Sequence, residues 1–110
     1  MAYADPLDER YRAARRKHYE NNKDQYLARN AEAKRLKAEH IRERKSVPCM
    51  DCGQTYPYYV MDFDHRDPAV KDKNVSQLLS YGWKRFLAEI EKCDVVCSNC
   101  HRERTFGPLV

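Results

Sequence analysis

The sequence predicts a small α+β protein in which a basic helical extension precedes a cysteine-rich module. Residues 7–45 contain neither Gly nor Pro and are rich in Ala, Arg, Lys and Glu, a composition that favours helix. From residue 47 onward the chain instead combines aromatic and β-branched runs with two Cys-x2-Cys pairs. Because Pro48 cannot continue a helix, we expect a domain boundary there, with the extension over 1–46 and the module over 47–110.

The extension is predicted to form two helices, at about 8–20 and 23–45. Asn21 and Asn22 interrupt the pattern, and Asn22 with Gln25 has the spacing of a capping box at the start of the second helix. Large apolar side chains are few and irregularly spaced along both helices, so burial alone cannot stabilise them.

Charge is unevenly distributed along the chain. Residues 1–46 carry 13 Lys and Arg against 8 Asp and Glu, a net +5, whereas residues 47–110 carry 8 against 9. This asymmetry suggests that the extension holds a polyanion and the module acts on it. Two interpretations stay open: a solvated surface packed loosely on the module, or an arm that binds phosphates through Arg12, Arg15, Arg16, Lys17, Arg35 and Lys37.

Composition also predicts where the protein resides. Charged residues make up 35% of the chain, mean hydropathy is −0.95, and no apolar run approaches the roughly 20 residues that a membrane span needs. The first residues lack a basic start and an apolar stretch, so we expect no secretory signal. A cytoplasmic protein without a membrane partner is predicted.

The five cysteines are expected to be metal ligands or free thiols, because the cytoplasm keeps thiols reduced. Their spacing favours metal: Cys49 with Cys52 and Cys97 with Cys100 form two knuckles that suit tetrahedral zinc with four thiolates. Cys93 is left over. Because a module this small has little core, a structural zinc would contribute much of its stability. The alternative is a set of unrelated buried cysteines.

The first half of the module is predicted to be a strand or hairpin that leads to an ionisable pair. Residues 56–63 are aromatic and β-branched and alternate in the manner of a strand. This strand would deliver Asp64 and His65 at its end. Asn74 and Gln77 then have the spacing of a capping box that opens a helical segment.

The second half is predicted to contain a helix, a strand and a closing helix. Gly82 interrupts the helical segment, after which apolar residues recur at i, i+3, i+4 and i+7 in the most regular amphipathic pattern of the chain, with Trp83 expected in the core. Residues 94–96 form a short strand, and a brief helix after the second knuckle ends at Gly107.

Several of these segments together resemble the HNH endonucleases of the ββα-metal fold, and in particular their small phage-type branch. In that branch a basic helical extension precedes a knuckle, a Met-Asp-Phe-Asp-His-like segment and a Cys-Asp-Val-Val-Cys-x-x-Cys-His-Arg-like ending. Here these segments are Met61–His65 and Cys93–Arg102. The resemblance covers nearly the whole chain and is most specific over residues 49–105. It implies a zinc-stabilised HNH module that cleaves DNA, located in the host cytoplasm if the chain is phage-encoded.

The resemblance also implies roles for single residues. Asp64 and His101 would hold a catalytic divalent metal, Mg²⁺ or another ion, and His65 would be the general base. A histidine suits that task because its ordinary pKa is about 6.5. Alternate residues of a strand face opposite sides, so Asp64 and His65 should not both face one ion, whereas Asp62 shares the face of Asp64. Further DNA contacts are expected from the closing helix, at Arg102 and Arg104.

One feature of the family is missing at its expected place. The middle Asn that orients the base histidine would stand just before the second strand, where this chain has Lys92, Cys93 and Asp94. Asn74 lies earlier and is explained by its capping role. Thr105, one turn after His101, cannot replace the second late histidine of some members.

Two rival hypotheses remain at this point. One is a zinc-stabilised nucleic-acid-binding module without catalysis, for example an accessory that works with phage DNA-packaging proteins. The other is a protein-interaction domain that uses Trp83 and the extension. The hypotheses differ in whether Asp64, His65 and His101 are needed at one place.

Overall fold

A computed structural model describes residues 8–109, which form helices, short 3₁₀ turns and a two-stranded antiparallel sheet. In chain order the helices and strands are α1 (Glu9–Asn21), α2 (Lys23–Lys45), β1 (Met61–His65), α3 (Trp83–Glu91), β2 (Cys93–Cys97) and α4 (Ser98–Phe106). The predicted small α+β architecture is confirmed. None of the helices in the described part of the chain has the length and apolar character needed to cross a membrane.

The chain divides into two compact units, Met1–Glu32 and Ala33–Val110. The division falls inside α2, so the unit that contains the sheet also contains the second half of that helix. The sequence analysis started the module later, at residue 47, because it placed the boundary where the helix ends. Packing rather than helix length sets the division, since Ile41 lies against the core of the second unit.

Lys37 is one of the α2 residues that pack in the second unit. Only 3% of its surface is exposed, and its ammonium donates hydrogen bonds to the backbone carbonyls of Leu79, at 3.1 Å, and Tyr81. Nζ lies 5.5 Å from the centre of the Trp83 ring. The expectation that Lys37 contacts phosphates is therefore wrong, because its charge is buried and hydrogen-bonded within the fold.

The first unit is a helical hairpin. Asp8 caps α1 by accepting the backbone N–H of Arg10 at 2.8 Å. Asn22 follows the end of α1 and donates its side-chain amide to the carbonyl of His18 at 2.8 Å. The predicted break between the helices is thus present, with Asn22 closing the first of them. Across the turn, Tyr19 stacks on Tyr26 with ring centres 5.7 Å apart.

The sheet pairs β1 with β2 in a register that places Met61 opposite Cys97 and His65 opposite Cys93. β1 begins later than predicted, because Tyr58–Val60 forms a 3₁₀ turn closed by a hydrogen bond from Val60 N–H to the carbonyl of Pro57. Asp64 and His65 still lie at the end of the strand, as expected. The second strand and the closing helix also form where the sequence predicts them.

Two apolar clusters flank the sheet. One joins α3 to the preceding 3₁₀ turn, and the other lies between β1, β2 and the first knuckle; their most buried members are Leu78, Phe86, Ile90, Met61 and Val96. The capping box of Asn74 and Gln77 is present. Trp83 was expected in the core but is 39% exposed, because the buried face of α3 starts one turn later, at Phe86.

Candidate functional site

Four cysteines come together at one end of the sheet. Cys49 and Cys52 lie in the loop after α2, Cys97 ends β2, and Cys100 lies in the first turn of α4. Their sulfur atoms all lie within 4.8 Å of one another. The loop closes tightly because Gly53, at φ +73°, allows its N–H to donate to the carbonyl of Cys49 at 2.8 Å.

The surroundings of these sulfurs favour the ionised form of one of them. Burial raises the pKa of Cys49, but hydrogen bonds from the backbone N–H groups of Cys52, Cys97 and Asp51 outweigh it and lower the value to about 6. The hydrogen bond with Cys97 raises the pKa of Cys100 to about 12.

This donor set fits a tetrahedral thiolate site. Zinc–sulfur bonds of about 2.3 Å place the four sulfurs about 3.8 Å apart, so the spacing found here needs only a small contraction. The four cysteines could bind a metal such as zinc. Cys93, the fifth cysteine, lies outside this group, and its buried thiol has a pKa raised to about 11 by desolvation.

A second cluster lies where β1 faces α4. His101 places its Nε2 3.4 Å from Oδ1 of Asp64 and its Nδ1 3.1 Å from Oδ2 of Asp62. The two aspartates alternate on one face of β1, as their spacing in the strand requires. His101 immediately follows Cys100, so a residue of the cysteine cluster and a residue of this cluster are neighbours on the same helical turn.

Arg104 joins the two clusters. Its Nη1 donates to Asp64 at 2.9 Å and to Asp94 at 3.0 Å, while Nε and Nη2 both donate to Asp51 at 2.6 Å. These hydrogen bonds raise the pKa of Arg104, and the same guanidinium lowers the pKa of Asp51. The guanidinium of Arg104 is thus held by three carboxylates, one of which is Asp64, and its expected contact with DNA stays a prediction.

His65 lies on the opposite face of β1 and contacts α3. Its Nε2 lies 2.7 Å from Oε1 of Glu89, a carboxylate that is 1% exposed. Glu89 also accepts the backbone N–H of Asp72 at 3.0 Å and the ammonium of Lys92 at 2.9 Å. Burial raises the pKa of Glu89, but the hydrogen bonds of these partners outweigh it and lower the value overall.

Glu89 was not predicted as a site residue, although the sequence contains a signal for it. In the amphipathic pattern of α3, Glu89 stands between Phe86 and Ile90 on the apolar face, where a carboxylate without a partner would be costly. A charged residue at a buried helical position predicts a buried partner. Nothing local in the sequence identifies that partner as His65, because the two residues meet only through the tertiary fold.

His65 and His101 both line one open cleft of about 260 Å³. It is lined by Lys45, Asp62, Phe63, His65, Asn74, Val75, Ser76 and His101. Asn74 therefore supplies an asparagine beside both histidines, although it stands well before β2 in the chain. From the sequence Asn74 was predicted only as a helix cap, because its position in the chain does not show that the loop returns to the cleft.

The remaining predicted DNA contacts are exposed side chains. In the extension, Arg16 pairs with Glu9 and Arg35 pairs with Glu39, each at 2.7 Å, and Arg15 lies over the Tyr11 ring at 5.7 Å. The others are Arg12, Lys17 and, on α4, Arg102. Exposure is compatible with both interpretations of the extension, so these contacts stay predictions.

Comparison with models of known families, with curated proteins and with solved structures found no match to this chain. The function is therefore argued from the geometry of the two clusters.

Proposed function

We propose that this protein is a metal-dependent DNA endonuclease of the HNH type, which hydrolyses phosphodiester bonds. The observation that carries the proposal is the position of His101 between the carboxylates of Asp62 and Asp64. A neutral imidazole has one N–H donor and one lone pair, so it can donate to only one of Asp62 and Asp64. The second nitrogen then faces a carboxylate oxygen at 3.4 Å, an arrangement that a cation between them would stabilise.

Asp64 and His101 have the spacing of two ligands on one ion. Adjacent ligands of an octahedral metal with bonds of about 2.1 Å lie about 3 Å apart, close to the separation of Oδ1 and Nε2. The contact with Asp62 would keep the proton on Nδ1 of His101 and leave Nε2 as the donor to the metal. A divalent ion held there would offset negative charge on the phosphate oxygens as the bond breaks.

His65 is proposed as the general base. Glu89 is an ionised carboxylate in contact with Nε2, so it favours the tautomer with the proton on that nitrogen. Nδ1 is then the atom that accepts a proton from the attacking water. The water oxygen forms a bond to phosphorus while the bond from phosphorus to the leaving sugar oxygen breaks, and that oxygen is protonated from solvent.

We further propose that Asn74 replaces the missing family asparagine, which orients the base histidine. It lies in the cleft with His65 and His101, and its own position is fixed by the capping box with Gln77, whose side chain accepts the N–H of Asn74 at 3.0 Å.

A structural zinc is proposed at the four thiolates. It would tie the loop of Cys49 and Cys52 to the end of β2 and the start of α4. Because His101 follows Cys100 directly, zinc binding would also hold His101 in place.

The rival hypothesis is a nucleic-acid-binding module without catalysis. It is favoured by the ion pairs of Asp64 with Arg104 and of His65 with Glu89, which would give both residues a structural reason to be present. The two functions differ in whether the metal-dependent reaction occurs.

Incubation of supercoiled plasmid with the purified protein tests the proposal. Nicked or linear DNA is expected with added Mg²⁺ or Mn²⁺ and not without a divalent metal. His65→Ala protein prepared in parallel controls for contaminating nucleases. Intact plasmid under every metal condition, together with measurable DNA binding, would instead identify a binding module.

A further inference from the structure

Lys45, the last residue of α2, lines the same cleft as His65 and His101. Its side chain is half-buried, and Nζ lies 5.1 Å from the centre of the Phe63 ring. Across residues 8–109 no carboxylate lies close enough to this ammonium to form an ion pair. Desolvation lowers the pKa of Lys45, and attraction to Asp62 opposes the shift without forming a contact.

Two other lysines of this unit that have lost water on folding do have hydrogen-bond acceptors. Lys37 donates to two backbone carbonyls, and Lys92 donates to one carbonyl and to Glu89. These contacts replace the water that each ammonium loses on burial. Lys45 has been partly desolvated without such replacement, so the cleft holds a cation whose hydrogen-bond donors are unsatisfied by the protein.

We propose that Lys45 binds a phosphate oxygen of the nucleic-acid substrate, so that α2 contributes an anion-binding group to the cleft. An ammonium is a compact point charge with three donors, which suits the oxygen of a phosphodiester. The identity of the anion rests on the proposed endonuclease function. The presence of an anion subsite rests only on the cleft and on the unpartnered charge.

The surroundings of Lys45 favour this role over a merely solvated one. The Phe63 ring holds the ammonium by a cation–π contact, which limits the positions it can take. Its place in the last turn of α2 stabilises the charged form of the ammonium itself, because the field of a helix C-terminus favours cations. Asn74 and Ser76 line the same cleft and offer uncharged donors beside it, while Asp62, the carboxylate there, is engaged by His101.

Substitutions separate the charge from the packing of the side chain. Lys45→Met keeps the length of the stem, so zinc content and thermal unfolding should match the parent, whereas kcat/KM for cleavage should fall by about 10²-fold. Lys45→Arg keeps the charge and should recover most of that loss. Lys84→Met, which removes an exposed charge from α3, is the matched control and should cleave like the parent.

Binding measured without added divalent metal tests the subsite apart from catalysis. Lys45→Met should lower the affinity for a short DNA duplex and reduce the slope of log affinity against log salt by about one, while Lys84→Met should leave the slope unchanged. In the parent protein the duplex should slow acetylation of Lys45 by an amine-selective reagent. Inorganic phosphate should do so only at far higher concentration.

The outcomes are distinguishable. Equal affinity, equal salt slope and unchanged acetylation of Lys45 would overturn the subsite, whether or not the protein cleaves DNA. Protection by duplex with no cleavage by any variant would keep the subsite and reject the endonuclease. Protection by inorganic phosphate at the same concentration as by duplex phosphate would show a site for free phosphate and overturn the assignment to nucleic acid.

Discussion

At the scale of single residues, the two site histidines differ in what holds them. His101 stands between two partly exposed aspartates, whereas His65 is pinned by one buried glutamate on the other side of the strand. A ligand needs an available lone pair near other anionic donors, and a base needs a fixed tautomer with one nitrogen left to accept a proton. The two environments meet these different requirements, which is why the proposed roles of the two histidines are not interchangeable.

Alanine substitutions should separate these roles. His65→Ala removes the proposed base but leaves Asp64 and His101, so cleavage should fall by about 10² to 10⁴ while divalent metal still binds. His101→Ala removes a proposed metal ligand, so activity should fall together with metal affinity and return in part at high metal concentration. Plasmid cleavage against metal concentration measures both effects.

Both histidine variants should keep their zinc and bind DNA, because neither residue belongs to the four-cysteine cluster. Parental cleavage by His65→Ala, or loss of zinc and fold in His101→Ala, would refute the division of roles.

Glu89 predicts a pH dependence of stability. Its folded-state pKa is lowered from the usual 4.5, so its contribution is fully present above that value and is lost as pH falls through the lower folded value. Glu89→Gln cannot ionise, and it should therefore destabilise the protein near neutral pH while the difference from the parent shrinks in acid. Unfolding midpoints in urea across this pH range measure the difference.

The matched control is Glu91→Gln, on the same helix. Glu91 is exposed and only loosely paired with Arg44 at 3.4 Å, so its substitution should change stability little at any pH. A Glu89→Gln protein whose deficit stayed constant down to acid pH would show that the carboxylate charge does not contribute to the fold.

Among the helices and strands, α4 carries candidate site residues at three positions. Cys100 belongs to the cysteine cluster, His101 to the carboxylate cluster, and Arg104, one turn later, ties the helix back to the first knuckle through Asp51. A short helix has little cooperativity of its own, so its position depends on these attachments. Loss of the cysteine cluster should therefore also displace His101 and disrupt the candidate site.

Cys97→Ser and Cys52→Ser should each release the proposed zinc and unfold residues 49–105, because a structural metal contributes folding free energy directly. Cys93→Ser is the control: its thiol is buried outside the cluster, and a serine there should cost some stability without loss of metal. Metal content by mass spectrometry and thermal unfolding report the outcome. Native protein from zinc-replete cells with well below one equivalent of zinc would contradict the site.

How well each element was predicted depends on how local its cause is. The hairpin of α1 and α2 follows from propensity and the Asn pair, and the cysteine cluster follows from spacing, so both were found. The start of β1 was misplaced, because Pro57 and the turn after it interrupt a run whose composition favours strand. Trp83 was misplaced because helical periodicity does not determine where the buried face begins.

The site shows the same limit. Spacing and the family resemblance pointed to Asp62, His65 and His101, which line the cleft, and to Asp64, which lies next to His101 on the same face of β1 as Asp62. The partners from elsewhere, Glu89 of α3 and Lys45 of α2, were not found, since their contacts arise only when distant segments pack. Asn74 was predicted as a helix cap, and its place in the lining of the cleft is evident only from the folded structure.

In the whole molecule, the boundary between the two compact units divides the basic extension into a nearly neutral part and a strongly basic part. Residues 1–32 carry 7 Lys and Arg against 6 Asp and Glu, a net +1, whereas residues 33–46 carry 6 against 2, a net +4. Most of the positive charge assigned to the extension thus belongs to the half of α2 that packs with the sheet. The basic character and the candidate site lie in one unit.

Two truncations should therefore behave differently. A chain of residues 33–110 keeps Lys37, Ile41 and Lys45, so it should stay folded, retain its zinc and lose only a small part of the salt dependence of DNA binding. A chain of residues 47–110 loses the helix that covers Phe86 and its neighbours, and its thermal midpoint should drop sharply. Calorimetry and binding titrations at several salt concentrations measure both. If the shorter chain were as stable as the longer one, the second half of α2 would be an appendage, and the boundary near residue 46 would describe the protein better.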